Sequence, residues 1–178
     1  DPARELYSAR DPAIIYWQLQ KMAEAKIEFA ISSWWGPEKV TDQNFRLLIT
    51  DLMNRTDNPY PNLRWALYYE EESEGDPTVE KIVSDLNYIA DNYANQRAYF
   101  RIGSKPVIFV YATSGDKAAM VQRWMTARSQ AKVPFYVVLK IFSGYKSVTP
   151  QPDGWHQYGP SSRLHQHAPF SAAVSPGF

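Results

Sequence analysis

The chain has 178 residues, with 19 Lys and Arg residues against 19 Asp and Glu residues, no cysteine and an aromatic content of 15%. A formal net charge of zero argues against a nucleic-acid-binding protein, because such a protein needs a basic face to displace counterions from phosphates. The absence of cysteine excludes disulfides, a thiolate nucleophile and any zinc or iron–sulfur site that is bound by cysteine.

The first half of the sequence predicts two successive pairs of a helix and a strand. Asp11 and Pro12 are typical of a helix start, because Asp accepts hydrogen bonds from free N–H groups and Pro has no N–H to leave unpaired. Residues 27–35 form a nearly continuous apolar stretch, which predicts a strand that is buried on both faces. A second helix is predicted to begin at residue 41 or 42, and a strand follows it over residues 63–69.

The second half repeats the same alternation. An Asp-Pro pair at residues 76–77 predicts another helix start, and the most amphipathic helix of the chain follows it. Strands are predicted over residues 107–111 and 135–142, with a helix between them. The apolar runs are too short to cross a bilayer, so we expect no membrane span. Shorter strand candidates follow at residues 155–158 and 171–174.

Buried strands that alternate with amphipathic helices predict a parallel sheet covered by helices. A doubly wound sheet and a (β/α) barrel both show this alternation. A dinucleotide-binding sheet has a glycine-rich turn after its first strand, whereas Trp34, Trp35, Gly36 and Pro37 stand there in this sequence. The sequence therefore favours a (β/α) barrel over a doubly wound sheet, as a single α/β domain over residues 1–178.

Aromatic and charged residues collect at the predicted C-terminal ends of the strands, where parallel α/β folds place their sites. Tryptophan, tyrosine and carboxylate groups together suit a carbohydrate, because a sugar stacks its C–H face on an aromatic ring and its hydroxyls bind carboxylates. Trp34 and Trp35 point to opposite sides of an extended strand, so only one of them can line a cleft. The candidates at these ends are Trp34, Trp35, Tyr68, Glu70, Tyr111 and Lys140.

The glutamates after residue 69 allow two interpretations. In an extended strand, Glu70 and Glu72 share one face with Cα atoms about 6.5 Å apart, which approaches the spacings that glycosidases use. The alternative is a solvated acidic loop that favours the N-terminus of the next helix. We assign Glu71, Glu72 and Glu74 to such a loop and keep Glu70, which is nearest the strand, as a site residue.

Other chemistries have less support in the sequence. His165 and His167 have a spacing that metal sites use, but no nearby carboxylate completes a ligand set, so we expect neither a metal nor a cofactor. The serine pair at residues 32–33 lacks the G-x-S-x-G setting of a serine hydrolase. Lys140 suits a site cation or a Schiff-base lysine, and a charge partner for Glu70 is the simpler interpretation.

Five short sequence motifs follow one another along the chain. They read ISSWWGP at 31–37, ALYYEEE at 66–72, KPVIFVY at 105–111, WHQY at 155–158 and SPGF at 175–178. Together they resemble the glycoside hydrolase family 99-like proteins, which are relatives of endo-α-mannosidases, and the resemblance spans nearly the whole chain. It implies a (β/α)8 barrel that cleaves α-mannosidic linkages within glycans, with retention of configuration and without a metal.

The resemblance also implies roles for individual residues. Glu70 matches the family's glutamate after the third strand, in the sugar cleft, and one of the two adjacent tryptophans matches its aromatic wall. The family's catalytic carboxylates lie in a later motif of the Asn-Glu-Trp-x-Glu-Gly type, so we assign no catalytic residue and expect that pair beyond Phe178. Further substrate contacts are implied for Tyr68 and Tyr111, and for Trp155 and Tyr158 of the WHQY segment.

The resemblance further implies a barrel of the (β/α)8 TIM-barrel type that is partial, with about six of the eight strands present and strands lacking at both ends. Open sheet edges are a liability in water, so we expect a fragment of a longer protein, or a second chain that completes the barrel. The leading hypothesis is the central part of a retaining glycoside hydrolase, inactive by itself, that binds an α-mannose-type glycan. The alternative is a non-catalytic glycan-binding or structural assembly protein with the same fold. We expect an extracytoplasmic location, because sugar-cleaving relatives are often exported.

Overall fold

The computed structural model describes residues 7–112, 117–159 and 170–171. The α-helices of these ranges are α1 (Pro12–Glu24), α2 (Val40–Arg46), α3 (Val79–Ile89) and α4 (Ala118–Gln130). Helices α2 and α3 continue into wider π-helical turns over Leu47–Leu52 and Ala90–Ala94. In this part of the chain, every helix is too short or too polar to serve as a membrane-spanning segment.

The strands form one mainly parallel sheet. They are β1 (Phe29–Trp34), β2 (Arg64–Tyr69), β3 (Arg101–Ile102), β4 (Lys105–Val110), β5 (Tyr136–Lys140), β6 (Gly154–His156) and β7 (Phe170–Ser171). The parallel order is β1-β2-β4-β5-β6-β7, which follows the order of the chain, and β3 pairs with β4 in an antiparallel hairpin. This arrangement confirms the predicted barrel-type alternation. Of the predicted strand over 171–174, only the first residue lies among the described residues, in β7.

The helix starts depend on local capping. The Oδ1 atom of Asp11 accepts a hydrogen bond from the backbone N–H of Ala13 at 2.9 Å, and a proline occupies the first turn of α1, as predicted. Helix α3 begins slightly later than the Asp-Pro pair indicated. Thr78 is its N-cap, because its Oγ1 accepts from the backbone N–H of Lys81 at 3.2 Å.

The two faces of the sheet bury different sets of side chains. The helix-facing side forms the larger core, in which side chains of β2, β4 and β5 contact α3 and α4. Representative members of this core are Leu67, Tyr69, Ile108, Val110, Leu139, Ile82, Leu86 and Trp124. The inner face, which corresponds to the interior of a barrel, buries a smaller set, namely Ala66, Tyr68, Val107, Phe109 and Val138.

Strand β1 differs from the prediction that both of its faces are buried. On its inner face Ile31 is 43% exposed and Ser33 is exposed, whereas Trp34 on the helix-facing side is fully buried. The reason is its position in the sheet. Among the described strands β1 pairs only with β2, so no strand beyond it covers its inner face.

A buried carboxylate connects β1 to α2 and α3. Asp42 of α2 is fully buried and accepts hydrogen bonds from Trp34 Nε1 at 2.8 Å and from the hydroxyls of Tyr88 and Tyr93 at 2.7 Å each. The backbone N–H of Glu38 also donates to it at 3.0 Å. Burial acts to raise the pKa of Asp42, but these hydrogen bonds outweigh burial and hold the pKa below its ordinary value.

We expect Asp42→Asn to lower the free energy of unfolding by about 3 kcal/mol, because the amide turns an N–H₂ group towards several buried donors. Urea denaturation at neutral pH measures this change. Asp51→Asn is the matched control, because Asp51 is exposed and its substitution is expected to change stability by less than about 0.5 kcal/mol. Equal stability of the two variants would contradict the central role of Asp42.

Candidate functional site

A group of the predicted residues meets at the C-terminal ends of the parallel strands, on the inner face of the sheet. Tyr68 and Glu70 lie at the end of β2, Tyr111 follows β4, Lys140 ends β5 and Tyr158 follows β6. We call these residues the strand-end cluster. The register of the parallel strands brings them together although they are far apart in sequence.

The tyrosines of the cluster are in mutual contact. The rings of Tyr68 and Tyr158 lie nearly parallel, with centroids 6.1 Å apart and planes inclined by 22°. Tyr111 meets both rings edge-on, at 6.1 Å from Tyr68 and 5.2 Å from Tyr158. Tyr158 is 58% exposed whereas Tyr68 is 8% exposed, so the cluster presents an accessible aromatic ring above a buried one. An accessible ring of this kind can stack against the C–H face of a sugar.

The carboxylate of Glu70 is held in position by the neighbouring strand. Ser33 Oγ, at the end of β1, donates a hydrogen bond to Glu70 Oε1 at 2.7 Å. The backbone N–H of Glu70 donates to the carbonyl of Trp34 at 3.0 Å. A carboxylate has about four acceptor positions, so Glu70 can accept further hydrogen bonds from the hydroxyls of a ligand.

Lys140 places its ammonium group over the tyrosine rings. Its Nζ lies 4.1 Å from the ring centroid of Tyr111 and 5.4 Å from that of Tyr158, which is cation–π geometry. The same Nζ donates to the backbone carbonyl of Ala112 at 3.1 Å. In the described part of the chain Lys140 forms no ion pair with Glu70 within 4.0 Å, so the interpretation of Lys140 as its direct charge partner is wrong. Instead, Ser33 binds the carboxylate of Glu70, and the rings of Tyr111 and Tyr158 contact the ammonium group of Lys140.

The hydroxyl of Tyr68 is buried and has no hydrogen-bond partner among the residues that the structure describes. Burial, with a further contribution from the negative charge of Glu70, raises the pKa of Tyr68, so the hydroxyl keeps its proton near neutral pH. A buried hydroxyl without a partner carries a free-energy cost of about 1–3 kcal/mol. A ligand oxygen at this position would offset that cost.

His156 lies beneath the cluster and is absent from the site predicted by the sequence. Its ring is 5% exposed and lies 5.4 Å from the ring of Tyr68 and 5.8 Å from that of Phe109. Nε2–H donates to the carbonyl of Val110 at 3.0 Å. Burial, reinforced by the charge of Lys140, lowers the pKa of His156 to about 4. Strand alternation was the available signal, because it puts His156 on the inner face opposite its neighbouring tryptophan.

Trp34 and Trp155 lie away from the strand-end cluster, on the helix-facing side. Trp34 is fully buried and its indole N–H donates to Asp42, while Trp155 is 2% exposed within the larger core. Their strand neighbours Ser33 and His156 occupy the inner face instead, because successive side chains of a strand alternate. Neither indole can contact a ligand at the cluster in this arrangement, so neither enters the proposed site.

Trp35 follows β1 directly and is half-buried. Its backbone N–H donates to Thr41 Oγ1 at 3.1 Å, which fixes the connection to α2. The chain turns at Gly36, where φ is +99° and an added Cβ atom would lie 2.3 Å from Glu71 Oε1. The role of Trp35 as an aromatic wall of the cleft stays a prediction, because its backbone hydrogen bond is to Thr41 and not to the strand-end cluster.

The glutamates that follow Glu70 turn away from the cluster. The strand ends and a 3₁₀ turn begins at Glu71, so Glu70 and Glu72 do not share a face. Glu72 is fully buried, accepts a hydrogen bond from Trp124 Nε1 at 2.8 Å and pairs with Arg123. The prediction that Glu72 belongs to a solvated loop is therefore wrong, because helix α4 supplies its partners. Glu71 forms an ion pair with a lysine of α3.

The predicted histidine pair His165 and His167 lies outside the described residues. Within residues 7–112 and 117–159, no group of histidine, aspartate and glutamate side chains is arranged to hold a metal ion.

The sequence model of Glycosyl hydrolase family 99 matches residues 2–135 of the chain. The chain belongs to this family. The family 99 match includes Tyr68, Glu70 and Tyr111, and it ends before Lys140 and Tyr158. The resemblance drawn from the ordered segments of the sequence is thereby confirmed.

Solved structures of family 99 show the same fold. The endo-alpha-mannosidase from Bacteroides thetaiotaomicron in complex with bis-tris-propane is 20% identical, with a TM-score of 0.69 over 86% of this chain and 48% of that chain. A second structure of the enzyme is 20% identical, with a TM-score of 0.68 over 88% of this chain and 46% of that one. The chain thus spans about half the length of these structures, and at this identity the likeness establishes the fold, a partial barrel of the family 99 type.

We expect His156 to make the family 99 chain less stable as the pH falls from 7 to 5. The pKa of histidine is about 6.5 in an unfolded chain and about 4 for His156 in the folded protein. Between these values the unfolded state binds the additional proton, so stability decreases as the pH falls through this window. The loss at pH 5 is about 2 kcal/mol.

Urea denaturation of the wild type and of His156→Gln at pH 7 and pH 5 measures this contribution. The glutamine amide in this variant retains a donor for the carbonyl of Val110 but does not titrate. The difference in stability between the two pH values should therefore shrink by about 2 kcal/mol in the variant. An unchanged difference would show that His156 is not held neutral.

Proposed function

We propose that the chain forms the sugar-binding part of a retaining glycoside hydrolase that acts on α-mannosidic linkages, with the glycan bound at the strand-end cluster. Membership of family 99 supports the reaction class, and the endo-alpha-mannosidases of similar fold support the type of linkage. The observation that carries the proposal is the pairing of a fixed carboxylate with accessible aromatic rings. Glu70 is held by Ser33 at 2.7 Å beside tyrosines that contact one another.

Each group of the cluster has a distinct part in binding a sugar. The exposed ring of Tyr158, with Tyr111 edge-on beside it, offers a surface for the C–H face of one sugar ring. Glu70 accepts hydrogen bonds from sugar hydroxyls, and such charge-assisted bonds are about twice as strong as neutral ones. The buried hydroxyl of Tyr68 donates to a ligand oxygen. Aromatic and carboxylate contacts together orient the sugar relative to the strand ends.

The cluster by itself supports binding and not cleavage. Retaining glycosidases use a pair of carboxyl groups about 5–5.5 Å apart, one as a nucleophile and one as a general acid and base. Glu71 and Glu72 turn towards the helices, so Glu70 has no such partner from its own segment. We therefore assign Glu70 to substrate binding and the catalytic roles to the later carboxylate motif that the family resemblance implies.

A non-catalytic glycan-binding protein is the second candidate function. The observation that favours it is that stacking and a single acceptor carboxylate suffice for recognition of a sugar, and the cluster has both. Both functions predict that the chain binds a glycan. They differ for a protein that also contains the later carboxylate motif, which a hydrolase would use to cleave the glycan and a binding protein would not.

We expect Glu70→Gln to weaken binding of α-linked mannose oligosaccharides by about tenfold, because the amide lacks the charge that strengthens hydrogen bonds to hydroxyls. Titration calorimetry measures the dissociation constants. Glu74→Gln is the matched control, because Glu74 is exposed on the same acidic segment and should bind like the wild type. Equal affinities for wild type and Glu70→Gln would remove Glu70 from the site.

We expect the purified 178-residue chain to release no sugar from α-mannan oligosaccharides under conditions where it binds them. Retention requires a second carboxyl group beside the first, and among the described residues the glutamates that follow Glu70 turn towards the helices. Chromatography of the reaction mixture detects released products. Turnover by the wild-type chain would overturn the assignment of catalysis to the later carboxylates.

A further inference from the structure

We propose that the glycan bound at the strand-end cluster carries an anionic substituent, such as a carboxylate or a phosphate ester, and that Lys140 binds this substituent. The inference rests on the proposed function and adds to it the charge class of the substrate.

Lys140 differs from the other half-buried lysines of the described chain in having no carboxylate partner. Lys81 contacts Glu71 at 2.7 Å, and Lys105 contacts Asp153 at 3.3 Å. The Nζ of Lys140 donates to a backbone carbonyl and lies against aromatic rings, with no carboxylate within 4.0 Å among the described residues. A carbonyl and an aromatic face orient an ammonium group without neutralising its charge. The positive charge therefore remains available to a ligand.

The position of this charge suits a ligand of the cluster. Because Nζ lies 4.1 Å from the ring of Tyr111 and 5.4 Å from that of Tyr158, the ammonium group stands beside the rings on which a sugar would stack. An ammonium has three N–H donors, and the carbonyl of Ala112 uses one of them. A ligand anion would form a charge-assisted hydrogen bond with one of the others.

The surroundings of Lys140 have space and further donors for such a group. A cavity of about 440 Å³ adjoins it, and its lining includes Lys140, Ser143 and Tyr158. Its charged lining residue is the lysine, and Ser143 adds a hydroxyl donor. Tyr68 contributes a protonated hydroxyl without a partner in the described structure. The site thus has hydrogen-bond donors and a positive charge beside Lys140, and a negatively charged acceptor at Glu70. This arrangement favours a glycan that places its anionic group beside Lys140 and its hydroxyls beside Glu70.

Titration calorimetry with a matched set of ligands tests the inference. The set comprises a neutral α-linked mannose oligosaccharide, the same oligosaccharide with a phosphate monoester, and one that carries a uronic acid. We expect the wild type to bind at least one charged ligand about tenfold more tightly than the neutral one. The preference should decrease with added salt, because salt screens the ion pair. The two charged ligands distinguish a phosphate from a carboxylate.

Substitutions then assign the preference to one residue. In Lys140→Met the ratio of charged to neutral affinity should fall to about one, and Lys140→Arg should retain most of it. Lys146→Met is the matched control, since Lys146 is an exposed lysine of the adjoining segment and its loss changes the net charge equally. This control should keep the wild-type ratio. Thermal unfolding of each variant verifies that it is folded.

The outcomes separate this inference from the function on which it rests. Equal affinities of the wild type for charged and neutral ligands would overturn the inference and leave the proposed function intact. A preference that persists in Lys140→Met would also overturn it, because the charge would then be recognised elsewhere. Binding of none of the ligands by the folded wild type would overturn the proposed function itself.

Discussion

Alternation of side chains along parallel strands is the constraint on which the rest of this structure depends. Each strand sends successive residues to opposite faces, so one face enters the core beneath the helices and the other forms the interior of the partial barrel. At the end of β2, Tyr69 is buried beneath α3 and α4 while Tyr68 joins the strand-end cluster. The same rule sends Trp34 to the core and Ser33 to Glu70.

The two faces differ in how their charged side chains are paired. On the helix-facing side, buried carboxylates have several donors each, as Asp42 has from Trp34 and Tyr93, and as Asp85 has from Tyr69 at 2.7 Å and Lys81 at 2.5 Å. Such networks stabilise and specify the packing of the helices. On the inner face, the ammonium group of Lys140 has no carboxylate within 4.0 Å among the described residues. The strand-end cluster, where we propose that a glycan binds, lies on the inner face.

Several residues of the strand-end cluster could be predicted from the sequence because the relevant signals are local. Glu70 and Tyr111 follow apolar runs that predict strands, and strand ends in parallel folds carry sites. The burial of Glu72 could not be predicted in this way. Its burial depends on a 3₁₀ turn that breaks the alternation and on Trp124, which lies far along the chain. Alternation along β6 could place His156 on the inner face, but its contact with the ring of Tyr68 joins strands distant in sequence and could not be predicted from its neighbours.

The sequence by itself determined the alternation of helices and strands, the family and the residue types that meet at the candidate site. These features follow from residue periodicity, from capping residues and from short segments, all of which act over a few neighbouring positions. Only the tertiary structure decided which aromatic residues are buried, which carboxylates are paired and where Lys140 directs its charge. The physical reason is that these properties arise from contacts between strands and helices distant in sequence, such as Ser33 with Glu70 and Lys140 with Tyr111.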